Sequence, residues 1–290
     1  MQKTPSRHFA ALKKKWLKRH RAIQRKITST HKESMKWISS KSKHIAVGSM
    51  TGLLILAHPA NASMLTQHIL PPPPEEHATH TSDDLITQLA SQLPDTVQEL
   101  STEQEITIAH TLSTYFNMPV MASLYGKRLN RSYGIIGAEQ HLMRYPGDTM
   151  ETHFQSSEDT KFFSSGMAPG RGAWGYFTDS RDSMTQQDVD RERYYIAVQT
   201  FLAPGWSENP NELYAFFKYR KMLVVNPENG KGIVVVIGDA GPSPSTGKHL
   251  GGSPEVMSHL ERQDGGARGP VLYFFIDDPE DQIPLGPIKI

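Results

Sequence analysis

The segment Gly232-Ile-Val-Val-Val-Ile237-Gly-Asp239 constrains the fold more than any other part of this 290-residue chain. Ile233 to Ile237 are apolar at both parities, so neither face of a strand built from them can meet water. Such a strand must lie inside a sheet covered on both sides. The Asn226-Pro-Glu-Asn-Gly230 sequence before it reads as a hairpin turn, with Asn229-Gly230 supplying positive φ. Lys221–Asn226 is then the preceding antiparallel strand.

Further short β-branched or aromatic runs occur at Ala173–Thr178, Tyr194–Phe201 and Val271–Asp277, separated by Gly, Pro and Asn clusters. This pattern predicts a small closed or sandwiched β domain over 161–290. One helix interrupts it. Ser253 is its cap, Pro254 its first residue, and Val256, Met257 and Leu260 its inner face. Upstream, Ser82-Asp83-Asp84 with Leu85, Ile86 and Leu89 predicts one helix, and Ser101 to Phe116 a second that Pro119 ends. Residues 83–160 thus read as a helical cap and connecting segment, and the fold class as α+β.

The net charge of +1 hides a polarised chain. Residues 1–44 carry 14 Lys/Arg against Glu33 alone, leaving residues 63–290 with 17 bases and 29 acids. An acidic globular part repels phosphate, which argues against nucleic acid as a partner. Residues 45–57 form an apolar block shorter than the roughly 20 residues of a membrane-spanning helix. It follows the basic arm and is closed by Pro59 and Ala60-Asn61-Ala62, the layout of a secretory signal. Residues 1–62 are therefore expected to be a cytoplasmic arm plus signal or uncleaved membrane anchor, and the acidic part to lie outside the cytoplasm. A cytosolic protein with a basic nucleic-acid-binding tail would leave the apolar block and Ala-x-Ala unexplained. Residues 63–82, with Pro71 to Pro74, read as a polyproline linker. The absence of cysteine excludes disulfides and thiolate metal centres, and suits a bacterial-type envelope.

The sequence Val224-Val-Asn226-Pro-Glu-Asn229-Gly230-Lys231, a β run, Asp239-Ala-Gly241-Pro242, a Gly-containing loop and a helix from Ser253 occur in one fixed order. In that order they resemble the double-psi β-barrel of the rare lipoprotein A and expansin-like group, over about residues 165–277. The resemblance implies a six-stranded barrel, with Gly172–Tyr176 as its first strand and Thr200–Gly205 as a distorted form of the family's T-L-P-x-G turn. It also implies a cell-wall glycan as partner, while activity does not carry over on the fold alone. The chain departs from the family at two places. Val198-Gln199 stands where a histidine is usual, and Gly251-Gly252-Ser253 where Asp-Leu-Ser is usual.

Asp239 ends a buried strand between Gly238 and Ala240, small neighbours that let a ligand approach. Partial desolvation there would raise its carboxyl and suit it to protonate a glycosidic oxygen. Ordinary hydrolysis uses two carboxylates. A lytic transglycosylase manages with one, because the sugar's own 6-hydroxyl attacks and returns the proton. Asp239 as a cap for the Gly241–Gly247 loop is the competing reading. Trp174 and Tyr176, together with Gly241 and Ser253, are the candidate glycan contacts; core packing is the default for each aromatic.

Gly241–Lys248 has five residues between its glycines where a phosphate loop has four, and His249 where Ser or Thr should follow. Glu139, His141, His153 and His249 lack metal-binding spacings. Neither cofactor nor metal is expected. The segment Gly134–Asp148 reads as a polar loop packed on the barrel. Two functions remain open: a peptidoglycan lytic transglycosylase or related glycosidase using Asp239, and a non-catalytic glycan-binding or scaffold module.

Overall fold

The computed structural model describes residues 81–154, 159–262 and 269–290. The basic arm, the expected signal or anchor segment and almost all of the expected Pro-rich linker lie outside them. Helices α1 (Ser82–Gln92) and α2 (Thr102–Phe116) come first, each with a reciprocal capping box, Thr81 with Asp84 and Ser101 with Gln104. Leu85, Leu89, Ile108, Leu112 and Phe116 form their buried stripe, while Ile106 points to solvent.

The strands follow as β1 (Val120–Met121), β2 (Ser123–Leu124), β3 (Lys127–Arg128) and β4 (Tyr133–Ala138). After β4 come α3 (Met150–His153), α4 (Gln186–Arg193), β5 (Tyr195–Val198), α5 (Pro210–Phe217), β6 (Lys221–Val225) and β7 (Gly232–Ala240). β8 (Leu250–Gly252), α6 (Pro254–His259), β9 (Gly269–Ile276) and β10 (Gly286–Ile288) complete the chain. Six strands close a mixed barrel in the order β4-β8-β5-β7-β6-β9 and back to β4. The β4–β8 and β5–β7 pairs are parallel and the other four antiparallel. β1 and β10 extend the sheet beside β9 and β7.

β7 is buried along Gly232–Gly238, as its double-parity pattern requires. Ile233, Val235 and Ile237 point into the barrel with Ile136, Ile196, Val224 and Phe275. Val234 points outward, under α1 and α2, with Leu223, Val225, Leu272 and Phe274. A strand apolar on both parities thus serves an inner core and an outer one.

The β-barrel expectation holds, with one correction at its start. Gly172–Tyr176 is a turn, bridged only between Gly172 and Gly175, and not the first strand. That place belongs to Tyr133–Ala138, inside the segment expected to be a loop. Its glycines explain the misreading, because Cβ atoms there would strike neighbours. At Gly134 the His249 side chain would be 2.9 Å away, and at Gly137 the Lys248 side chain 2.2 Å away.

Candidate functional site

A bulge in β7 aims Asp239. Opposite β5, the register runs Ile196 to Ile237 and then Ala197 to Asp239, so Gly238 is the extra residue. Only glycine fits there, since a Cβ would lie 2.6 Å from that of Tyr195. Asp239 Oδ1 accepts backbone N–H bonds from Ala173 (2.7 Å) and Ala240 (2.8 Å). Burial nevertheless pushes its carboxyl above the ordinary value, against the two amide bonds and with help from the Glu139 charge. With Oδ1 held by amides, Oδ2 is the oxygen left to carry a proton.

Glu139 follows β4 and joins this rim. Its side chain crosses Gly251, where a Cβ would come 2.2 Å from Glu139 Cγ, and its Oε1 takes a 2.8 Å ion pair from Lys248. Glu139 also lines a groove of about 500 Å³ between the Asp159–Ser165 turn and α6, with Gln140, Phe162 and Met257. Gln199, the residue after Val198, which stands where the resembling family has histidine, is buried. Its Nε2 donates to the carbonyls of Pro242 (3.0 Å) and Lys248 (3.3 Å), tying the loop after Asp239 to β5.

The residues expected to contact glycan sit in different surroundings. Trp174 donates its indole N–H to the Tyr214 carbonyl at 3.0 Å and packs on the Tyr214 ring, while Tyr176 lies under the Arg171 guanidinium. Ser253 is fully buried, capping α6 through the Val256 N–H and donating to the Arg193 carbonyl. Gly241 faces open space.

A second cluster lies buried behind the rim. The loop after β4 supplies His141, Arg144 and Asp148, α3 supplies His153, and α4 supplies Glu192. Glu192 Oε2 accepts from Arg144 Nε (3.0 Å), Arg144 Nη2 (2.8 Å) and His153 Nε2 (3.0 Å), and Oε1 accepts from the Leu142 N–H (3.0 Å). His153 Nδ1 donates to Asp148 Oδ2 at 2.8 Å. Burial alone would lower the His153 imidazole, but hydrogen bonds to Asp148 and Glu192 outweigh it and raise it to about 9. Burial would raise Glu192, yet His141, His153 and Arg144 hold it well below the carboxylate range. His141 Nδ1 lies 3.4 Å from Glu192 Oε1, close enough to act on its charge but without a formed hydrogen bond. Glu255, in the first turn of α6, is driven to about 7 by burial and the Glu192 charge.

Of the four residues weighed as ligands, the fold therefore joins His141 and His153 and adds Glu192, which no spacing pointed to. Glu139 is engaged by Lys248, and His249 Nδ1 accepts the Ile135 N–H at 2.9 Å. No helix of the described residues is long and apolar enough to cross a membrane. No protein-family model matches the chain, and no curated protein matches it either.

Proposed function

We propose that the chain is an extracytoplasmic envelope protein that cleaves cell-wall glycan as a lytic transglycosylase, its barrel being of the double-psi kind. The observation that carries this reading is Asp239 itself: a partly desolvated carboxyl with Oδ1 fixed by two amides and Oδ2 left for the proton. The closed mixed barrel with two parallel strand pairs supports the double-psi assignment. The short apolar block and Ala60-Asn61-Ala62 support export.

In this reading protonated Oδ2 gives its proton to the glycosidic oxygen as the bond to C1 breaks. The resulting carboxylate then takes the proton of the same sugar's 6-hydroxyl while that oxygen bonds to C1. The acid is regenerated, no water is consumed, and the product is a 1,6-anhydro sugar. Burial, with help from the Glu139 charge, favours the protonated form of this carboxyl.

A second reading, a non-catalytic glycan-binding module, is favoured by Val198, a core residue where the family has histidine, and by Gln199 beside it, which ties down the loop after Asp239. Incubating the purified protein with cell-wall sacculi separates the two. Release of 1,6-anhydro products by the wild type, lost in a folded Asp239→Asn variant, supports cleavage. Sacculus binding without products supports the module, and neither binding nor products overturns both.

A further inference from the structure

We propose that His141, His153 and Glu192 bind a divalent transition metal, with zinc the ion that their donors fit best. One donor atom from each residue lies within 4.8 Å of the others, and all three side chains are wholly buried. A tetrahedral zinc with bonds of 2.0–2.2 Å spaces its ligand atoms about 3.4 Å apart. Here His141 Nδ1 and Glu192 Oε1 are 3.4 Å apart, and His153 Nε2 and Glu192 Oε2 3.0 Å. Two imidazoles with one carboxylate suit zinc and its neighbours in the first transition row, while calcium and magnesium prefer oxygen throughout.

Two further observations point to a ligand. Both ring nitrogens of His141 are buried with no hydrogen-bond partner, an arrangement that costs free energy unless something occupies a lone pair. Glu255 is 8% exposed, and its Oε2 is likewise buried without a partner, in α6 near enough to feel the Glu192 and His141 charges. The surroundings are built as metal sites usually are. Asp148 accepts a hydrogen bond from the Nδ1–H of His153, which fixes the ring so that Nε2 faces the centre. Arg144 holds Glu192 by its side-chain N–H groups. Phe154 closes on both imidazoles edge-on, at 5.3 and 5.4 Å between ring centres. On binding, the metal takes the place of the proton between His153 Nε2 and Glu192, and that proton leaves to solvent.

The test uses the full chain, purified from zinc-supplemented medium and desalted. About one zinc per chain is expected, falling to near zero in His141→Ala and His153→Ala and unchanged in Glu139→Gln. Stripping the wild type with dipicolinate should lower its melting temperature, and Zn2+ but not Mg2+ should restore it. Where the histidine variants fail to fold, Co2+ added to stripped wild type decides, since the buried donors should give the intense visible bands of four-coordinate cobalt. A wild type without bound metal, whose melting ignores added Zn2+, overturns the proposal. So does a pale six-coordinate cobalt spectrum, or a full zinc equivalent retained in both histidine variants. The reading of Asp239 is unaffected by any of these results.

Discussion

The barrel rim and the cluster behind it both take carboxylates out of water, the rim in part and the cluster wholly, and obtain opposite results. Glu192 has two cations within 3.0 Å and is held ionised, although it is fully enclosed. Asp239 has only backbone amides as partners and another carboxylate, Glu139, nearby, and its carboxyl is pushed toward the neutral acid. Burial sets the cost of a charge, and the sign of the nearest neighbour decides whether the group keeps it. Compensated charge makes a framework. Uncompensated charge leaves a group able to exchange protons.

The largest effect should come from removing a compensating cation. Arg144→Met strands Glu192 and should cost about 3–5 kcal/mol in urea unfolding, the usual result of breaking a buried pair. A loss below about 1 kcal/mol would mean that the cluster is not a fixed framework. Next comes pH, in chelator-treated protein. The imidazole of His153 is raised in the folded chain to about 9 from an ordinary 6.5, so its contribution is complete below about pH 6.5. It should fade as pH rises through 9, by about 3 kcal/mol in all. Unfolding curves that do not change between pH 6.5 and 9 would remove the imidazolium from the comparison.

Smaller effects belong to the rim. Asp239→Ala removes the acceptor of two amides and should cost about 1–3 kcal/mol. Asp239→Asn keeps an oxygen for both amides and should cost less than about 1 kcal/mol. Equal losses in the two variants would show that the charge, and not the acceptor, matters there. Lys248→Met should change stability least, by about 0.2–1 kcal/mol, because its pair with Glu139 is partly exposed. A larger change would make the rim as compensated as the interior.

The sequence was most legible where one pattern served one purpose. The double-parity run at 233–237, the turn at Asn226–Gly230 and the Ser253 cap each predicted the element that forms, because their determinants are local. β4 was missed because its glycines, which make room for the His249 and Lys248 side chains, also mimic loop punctuation. β8 has three residues, two of them glycine, too few to show a period. The bulge that aims Asp239 left only Gly238 as its mark. The buried cluster was illegible for another reason: Leu142 and Arg144 meet Glu192 across about fifty residues, and tertiary folding alone makes that neighbourhood.

The closure of the barrel has a consequence for how the chain acquires its structure. β4 completes its pairing only when β9 arrives, with Tyr133 against Leu272 and Ile136 against Gly269, and β6 waits for the same strand. Until β9 is made, both strands present open edges, the hydrogen-bonding template on which unfolded chains associate. Long-range pairings of this kind are slow to form and favour folding after the whole barrel has been synthesised. A nascent chain cannot close the barrel before this strand is made, and its open edges stay accessible to chaperones until the last barrel strand locks the others into place.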